Sequence, residues 1–317
     1  MTQVDWLPNV MIIGVPKAGT SSLHTWITDH PNASGSLKKE TYFFADPGTH
    51  MHDKASHISN GLDGWRDHFQ QTDSVCSKVV IESTPANIYS RTALHHVPDL
   101  PTRPKCLFVL REPASQIYSL YRYFQTDWDW VPPDMSFAAF LEAVRRGDDV
   151  FKGNELAQNA LLNANYVKFL RNWRKRLGAS RMKVVSFEQL KRQPRETMLE
   201  IAHWVDLDPD FYRTYHYPVG NRGISPRSQI LKRLNLSIRR ILPDGAIYRA
   251  MRAGYRYINH QKVRGAASGE ERVLMAALSA EYERANAELE REFGVVFSGL
   301  GASNHRGAEL KVASCTG

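Results

Sequence analysis

The stretch that decides the fold runs from Asn9 to Leu23 and reads NVMIIGVPKAGTSSL. Its apolar run, Val10 to Ile13, is typical of a strand buried on both faces. Glycine and proline then bend the backbone, and the hydroxyls of Thr20 to Ser22 are predicted to cap a helix whose apolar residues recur at helical spacing. A strand, a turn containing Lys17 and a helix N-terminus form a cradle for an anion, because backbone N–H groups and the helix dipole converge there. The alternative is an ordinary strand–turn–helix corner with a surface lysine.

The rest of the chain alternates short apolar runs with amphipathic segments. This alternation predicts βαβ units, a mostly parallel sheet covered on both faces and therefore a three-layer α/β/α fold. Further strands are predicted at 33–37, 79–81, 105–110 and 183–187, and helices at 65–70, 114–124, 136–146, 154–177, 194–205 and 270–293.

Polar side chains follow the ends of four predicted strands: Lys17, Glu40, Glu82 and Arg111. Ligands of such sheets bind at the carboxyl ends of the strands, so these residues predict an active site. An arginine at a strand end can grip a phosphate with both arms of its guanidinium. Ser119, about two turns into the following helix, can add a hydroxyl to the same group. The alternative is an exposed arginine paired with a nearby acid and a serine without a role.

Composition describes a globular protein in which the basic charge is local. The net charge of the chain is +8, and the segment 221–264 alone contains eleven Lys or Arg and a single acid. Such a local basic segment favours an anionic ligand or surface over general nucleic-acid binding. The chain shows no apolar run long enough for a membrane span and no secretory signal, and its three widely spaced cysteines suit a reducing cytoplasm. We expect one domain over 1–300 and a flexible tail over 301–317.

Two segments resemble a known family, the sulfotransferases that use 3′-phosphoadenosine 5′-phosphosulfate (PAPS). PKAGTSSL is not an ATP-type P-loop, because its lysine precedes the glycine, but it resembles the family's 5′-phosphosulfate loop. LREPASQIYSLYRYF is similar to the second signature, in which an arginine and a serine eight residues later bind the 3′-phosphate. The resemblance implies a P-loop-like version of the α/β/α fold with PAPS as co-substrate. The donor-binding residues that it implies are Lys17, Ala18, Gly19, Thr20, Ser21, Ser22, Arg111 and Ser119.

Glu40 is the candidate base, and Lys17 is the candidate for stabilising the leaving phosphate. From the residues alone, Lys39-Glu40 can equally be a solvated charge pair. KKETYFFAD, however, resembles segments of heparan sulfate 3-O-sulfotransferases and bacterial sulfotransferases in which the glutamate is the base. Tyr42 stands where the heparan enzymes have a histidine, and an inserted alanine leaves the role of Asp46 open. Ser83 replaces the substrate-binding lysine of the related K-T-P turn, which argues against heparan sulfate in particular as the acceptor.

The acceptor side and the donor-closing segment are less defined. Tyr42, Glu82, Trp128 and Trp130 are candidate acceptor contacts, although Glu82 and both tryptophans can equally be structural. NRGISPRSQ looks like the family's late basic loop, so Arg222, Gly223 and Arg227 are candidate donor contacts. The histidines at 50, 52, 57 and 68 match no metal-ligand spacing, and we expect them on a solvent-facing loop with no metal required.

These observations together predict a cytoplasmic PAPS-dependent sulfotransferase of bacterial type, nearer the glycosaminoglycan-type enzymes. The expected acceptor is a hydroxyl of a carbohydrate, lipid or small metabolite, and no nucleic-acid partner is expected. Two alternatives are a P-loop-type nucleotide kinase or NTPase and a non-enzymatic module that binds an anionic membrane or polymer through 221–264. The sequence carries no signal for a particular oligomeric state.

Overall fold

The central sheet in the described part of the chain has five parallel strands. The computed structural model describes residues 6–69, 77–218, 224–226, 260–262 and 267–297. The strands are β1 (Val10–Gly14), β2 (Ala33–Gly35), β3 (Val79–Glu82), β4 (Lys105–Leu110) and β5 (Met182–Ser186). They lie in the order β2–β3–β1–β4–β5, and every neighbouring pair is parallel. β6 (Ile224–Pro226) and β7 (His260–Lys262) form a separate antiparallel pair.

Helices connect these strands and cover both faces of the sheet, so the predicted α/β/α class is confirmed. They are α1 (Thr20–Thr28), α2 (Asp63–Arg66), α3 (Arg91–His96), α4 (Pro113–Tyr123), α5 (Phe137–Arg146), α6 (Glu155–Gln158), α7 (Ala160–Asn163), α8 (Tyr166–Leu177), α9 (Phe187–Arg192), α10 (Pro194–Val205), α11 (Asp210–Thr214), α12 (Gly269–Glu281) and α13 (Glu283–Phe293). Short 3₁₀ turns lie at Ile58–Asn60, Pro85–Ile88 and Val97–Asp99, and a π-helical turn, Phe124–Trp128, extends α4.

Two helices that the sequence predicts as continuous are interrupted. The segment 154–177 divides into α6, α7 and α8, with non-helical backbone at Asn159 and Asn165. Asparagine favours such breaks because its side chain competes with the helix for backbone hydrogen bonds. The segment 270–293 divides at Tyr282, whose ring is buried and whose hydroxyl donates to the carbonyl oxygen of Leu161 at 2.7 Å. Burial of this side chain therefore outweighs continuity of the helix.

The sheet reverses its direction of growth at β1. The chain places β3 and β2 on one side of β1, and β4 and β5 on the other. The loops that leave β1 and β4 therefore open a crevice at the carboxyl edge of the sheet, which is the usual ligand position in this architecture. Lys17 follows β1 and Arg111 follows β4, so the topology brings the two predicted phosphate-binding segments together.

Two hydrophobic clusters support this edge. The larger one joins the sheet to α1, α8 and α10, and Trp173 anchors it through a ring contact with Phe108 (5.7 Å between centroids). The Trp173 indole donates to the carbonyl oxygen of Ile88 at 3.0 Å, so its polar atom is also satisfied. The second cluster joins α4, α5, α7 and α12. Among the described residues, no helix has both the length and the apolar character that crossing a membrane requires.

Candidate active site

The loop after β1 is held by β4 and α4 along three consecutive residues. The Val15 amide donates to a β4 carbonyl oxygen at 2.6 Å. Gln116 Nε2 donates to the carbonyl oxygen of Pro16 at 3.0 Å, and Arg111 Nη1 donates to that of Lys17 at 3.0 Å. These bonds fix the backbone of the loop before any ligand arrives. Arg111 therefore links the two segments that resemble the donor-binding signatures.

The N-terminus of α1 is open to an anion. Gly19 is the N-cap residue, with φ of 83° and ψ of 12°, and no side chain among the described residues caps the helix. The prediction that the hydroxyls of Thr20 to Ser22 cap α1 is therefore wrong, because Thr20 already lies in the first turn. The backbone N–H groups of that turn lack an intrahelical partner and suit a phosphate or sulfate. The close approach of Phe187 also requires glycine here, since a Cβ on Gly19 would lie 2.8 Å from its ring.

Two half-buried cations, Lys17 and Arg111, flank this N-terminus. Burial lowers the pKa of Lys17 to about 8, and the carboxylate of Asp127 opposes that shift. The Lys17 amine lies 3.8 Å from the centre of the Tyr123 ring, and the Arg111 guanidinium carbon lies 4.9 Å from that of Phe187. Within the described part of the chain, neither Lys17 nor Arg111 forms an ion pair with a carboxylate. A dianionic ligand would neutralise the positive charges of Lys17 and Arg111, so both residues suit the phosphate groups of the expected donor.

Glu40 lies beside the N-terminus of α1, although β2, the strand that precedes it, does not lie next to β1. β2 is an edge strand separated from β1 by β3, so chain order is not a guide to which strand ends are neighbours. The segment after β2 turns back toward α1, and Lys39 Nζ lies 2.9 Å from Glu40 Oε1 and 3.4 Å from Thr20 Oγ1. The Tyr42 hydroxyl donates to Glu40 Oε2. Burial, and then the adjacent Glu40 carboxylate, raise the pKa of Tyr42, which keeps the phenol protonated and able to donate.

Glu82 is fully buried, out of reach of a ligand from solvent. Its carboxylate accepts hydrogen bonds from the backbone amides and the hydroxyls of Thr41 and Thr84. Burial raises the pKa of Glu82, and these four donors oppose that shift. The Thr84 hydroxyl in turn accepts from the Tyr42 amide at 3.3 Å. Glu82 therefore holds the backbone of Thr41, next to Glu40, and its complete burial favours the structural role that the sequence left open.

The two tryptophans form a stacked pair next to the π-helical turn. The rings of Trp128 and Trp130 are 4.9 Å apart and 8° from parallel, and both side chains are half-buried. His50 packs edge-on against Trp130 and contacts Glu155, so the 46–52 loop is tied to this pair. β6 also lies close to the π-helical turn. The pair thus forms one wall near Tyr123 and Lys17.

The histidine-rich loop differs from its prediction. His57 is buried and bonds to the carbonyl oxygen of Ala45 at 3.1 Å, so the expectation of solvent-facing histidines is wrong for this residue. The Asp46 carboxylate accepts from the first backbone amides of α3, which gives this residue a structural role. Within the described segments, no group of three or more His, Cys, Asp or Glu side chains is arranged to hold a metal ion.

Several predicted and unpredicted residues complete the site. Ser119 is half-buried on α4, eight residues after Arg111, as the second signature requires. Arg222, Gly223 and Arg227 lie outside the described residues. The sequence did not indicate Gln116, Tyr123 or Phe187, which contact Pro16, Lys17 and Arg111 in the segments predicted to bind the donor. The only signal in the sequence for Tyr123 was its position at the end of an amphipathic helix, where an aromatic residue is ordinarily structural.

Comparison with known proteins agrees with this geometry. The sulfotransferase domain model matches residues 7–215. The human bifunctional heparan sulfate N-deacetylase/N-sulfotransferase 2 is 23% identical to this chain over 220 residues, which are 67% of this chain and 24% of the relative. The bifunctional heparan sulfate N-deacetylase/N-sulfotransferase 1 of Caenorhabditis elegans is 24% identical over 216 residues, which are 66% of this chain and 23% of the relative. The chain thus spans about a quarter of the length of these curated relatives. A sulfotransferase from Alicyclobacillus acidocaldarius shares the fold, with a TM-score of 0.54, 19% identity and coverage of 79% of this chain and 99% of that one. The chain therefore belongs to the sulfotransferase family of transferases.

Proposed function

We propose that the protein transfers the sulfuryl group of PAPS to a hydroxyl of a carbohydrate, lipid or small-metabolite acceptor. The observation that carries the proposal is the bond from Arg111 to the carbonyl oxygen of Lys17, at 3.0 Å. It joins the two segments that resemble the family's donor-binding signatures at the crevice of the sheet. Ala18 to Ser22 would bind the 5′-phosphosulfate with Lys17, and Arg111 and Ser119 would bind the 3′-phosphate.

The chemistry is an in-line displacement at sulfur. The acceptor oxygen forms a bond to sulfur while the bond from sulfur to the bridging phosphate oxygen breaks, and its electron pair stays on the phosphate. The acceptor proton passes to the Glu40 carboxylate. Lys17 and the N-terminus of α1 stabilise the charge that develops on the leaving phosphate. This assignment makes Glu40 the base and Glu82 a residue that positions it.

Among acceptor classes, a carbohydrate has the most support. The curated relatives are heparan sulfate N-sulfotransferases by name. The flat face of a sugar ring also suits the stacked pair of Trp128 and Trp130, with Tyr42 nearby as a hydrogen-bonding group. An ATP-type phosphotransferase is not favoured, because the chain belongs to the sulfotransferase family and Ala18 stands where that loop needs a magnesium-binding hydroxyl.

Three further proposals concern the basic segment, the domain and the location of the protein. A donor-closing role for Arg222, Gly223 and Arg227 rests on their basic segment, which could also contact an anionic surface. A single domain over 1–300 is supported by the packing of α12 on α4 and α5. A cytoplasmic location is supported by Cys106, a buried free thiol.

Calorimetry with 3′-phosphoadenosine 5′-phosphate (PAP) tests the donor site in the intact protein. We expect Arg111→Ala and Lys17→Ala to weaken PAP binding at least about tenfold, because each removes a charged hydrogen-bond donor. Arg146→Ala, an exposed arginine at the end of α5, serves as the matched control and should bind normally. Absence of PAP binding by the unmodified protein would overturn the proposed function.

Turnover of labelled PAPS with a panel of sugar, phenol and alcohol acceptors tests the base. Glu40→Gln should keep its PAP affinity and lose turnover, since the amide cannot take the acceptor proton. Glu142→Gln removes an exposed carboxylate on α5 and should retain turnover. Equal turnover by Glu40→Gln and the unmodified protein would show that another group is the base.

A further inference from the structure

Lys39 makes contacts that a charge pair with Glu40 does not explain. Its ammonium lies 2.9 Å from Glu40 Oε1, 3.3 Å from the carbonyl oxygen of Ser83 and 3.4 Å from Thr20 Oγ1. These three oxygens belong to the segment after β2, the turn after β3 and the first turn of α1. The Lys39 side chain is 21% exposed and that of Glu40 is 31% exposed. Partly exposed pairs of this kind contribute little stability, so the pair alone gives no reason for the position of the ammonium.

Two of these contacts are weak enough to be exchanged. Distances of 3.3 and 3.4 Å exceed the usual length of an N–H···O hydrogen bond, so the carbonyl oxygen of Ser83 and the Thr20 hydroxyl are poor partners for an ammonium. A sulfuryl oxygen carries negative charge and would be a stronger acceptor. The ammonium therefore lies between the donor cradle and the base, with free capacity to bind an anionic oxygen.

The basic side chain next to Lys39 is a histidine of α1. His24, whose Nδ1 lies 2.8 Å from Ser83 Oγ, is the neighbouring basic side chain on α1. Burial, and then the charge of Lys39, lower the pKa of His24 to about 4, so this imidazole is neutral at physiological pH. The positive charge at this point therefore belongs to the lysine and not to the histidine.

We propose that Lys39 is a second catalytic cation, which contacts the sulfuryl group of the bound donor while Lys17 stabilises the phosphate end. This inference rests on the proposed function. As the bond between sulfur and the bridging oxygen breaks, its electron pair moves to the phosphate, where Lys17 stabilises it, while Lys39 binds the negatively charged sulfuryl oxygens and holds the group in line with the acceptor oxygen. When the ammonium turns to the donor, it leaves Glu40 Oε1, and that oxygen is then available for the acceptor proton. Donor binding thereby makes the base available.

The chain offers a matched control in Lys38. It carries the same charge, directly precedes Lys39 and is exposed. Lys38→Met and Lys39→Met therefore change the net charge equally, and only the second removes the ammonium from the site. Lys39→Arg keeps the charge and tests whether a cation of another shape suffices.

Binding of PAP and PAPS, compared by calorimetry, isolates the sulfuryl contact without an acceptor. Lys39→Met should bind PAP like the unmodified protein and bind PAPS about tenfold more weakly, because only PAPS carries the sulfuryl group. Release of labelled sulfate from PAPS to water should fall about 10²- to 10³-fold, the usual loss for one transition-state donor. Lys39→Arg should recover part of both losses, and Lys38→Met should show neither.

The outcomes separate this inference from the proposed function. An unchanged ratio of PAPS to PAP affinity in Lys39→Met, with unchanged sulfate release, would overturn the role of Lys39 and leave the donor site intact. Equal weakening of PAP and PAPS would also overturn it, because the lysine would then support the cradle as a whole. Absence of PAP binding by the unmodified protein would refute the proposed function itself. Normal PAP affinity in Lys39→Met also shows that the variant is folded.

Discussion

Gly19→Ala tests how the donor cradle is built. Gly19 has left-handed backbone, which costs a non-glycine residue about 1–2 kcal/mol. An added Cβ would also lie 2.8 Å from Cδ2 of Phe187, and accommodating it by moving that ring costs about 1–3 kcal/mol. We therefore expect the variant to lose about 2–5 kcal/mol of folding stability. The same ring packs under the Arg111 guanidinium, so its displacement should also weaken donor binding.

Gly147→Ala separates the two contributions. Gly147 also has left-handed backbone, with φ of 72° and ψ of 30° at the end of α5, but no atom of the described part of the chain lies within 4 Å of an added Cβ. This control carries the backbone cost alone, about 1–2 kcal/mol, and should leave the donor site unchanged. The difference between the variants measures the contact with Phe187.

Thermal unfolding and PAP calorimetry together decide the outcome. Gly19→Ala should lower Tm by about 3–8 °C and Gly147→Ala by about 2–3 °C, given the unfolding entropy of a chain of this length. PAP affinity should fall at least about tenfold in Gly19→Ala only. Equal Tm values for the two variants, with normal PAP affinity in both, would refute the argument that Phe187 and Gly19 jointly shape the cradle.

Three further predictions follow from the site. Because the pKa of Lys17 is about 8 in the free protein, PAP binding at pH 8 should take up about half a proton, and PAP affinity should fall as the pH rises above about 8. Calorimetry in buffers of different ionisation enthalpy measures this proton uptake. Proton uptake that persists in Lys17→Arg would show that another group binds the proton. Glu82→Gln should lower the free energy of unfolding by about 1–3 kcal/mol and reduce turnover more than PAP affinity. The reason is that the new amide group is itself a hydrogen-bond donor and faces the four donors that now bind the carboxylate, next to the Glu40 segment. Normal turnover in this variant would exclude a positioning role for Glu82. Trp128→Ala should raise the KM for a sugar acceptor at unchanged PAP affinity, and an unchanged KM would move the acceptor away from the tryptophan pair.

The sequence predicts which segments form strands and helices better than it predicts which of them lie side by side. The runs 10–13 and 105–110 are apolar enough to indicate buried strands, and the structure confirms both. The order of the strands in the sheet is harder to predict, because it depends on which hydrophobic faces pack together and not on the order of the strands in the chain. The insertion of β3 between β1 and β2 moves the strand that precedes Glu40 away from that of Lys17. The turn after β2 restores their proximity, and no periodic pattern encodes that turn.

Burial of polar groups was the other unpredictable property. Glu82 has the sequence context of a strand-end acid, just as Glu40 does, yet it is enclosed by Thr41 and Thr84. A carboxylate can be buried in this way only when donors from two separate segments converge on it, and their convergence depends on the tertiary fold. Tyr123 likewise has the spacing of a structural helix residue, and its role under Lys17 depends on where α4 ends.

The contact between α12 and α4 has a consequence for how the protein can be divided. Ser279 on α12 donates to Glu112 Oε1 at 2.9 Å, and the same carboxylate caps α4 directly after Arg111. Met275 and Leu278 of α12 are buried in the second cluster. The family match ends at residue 215, well before this helix. The segment that the family model matches is thus shorter than the packed unit that includes α12, and we expect a chain cut at that boundary to lose the support that Ser279 gives to the α4 cap beside Arg111.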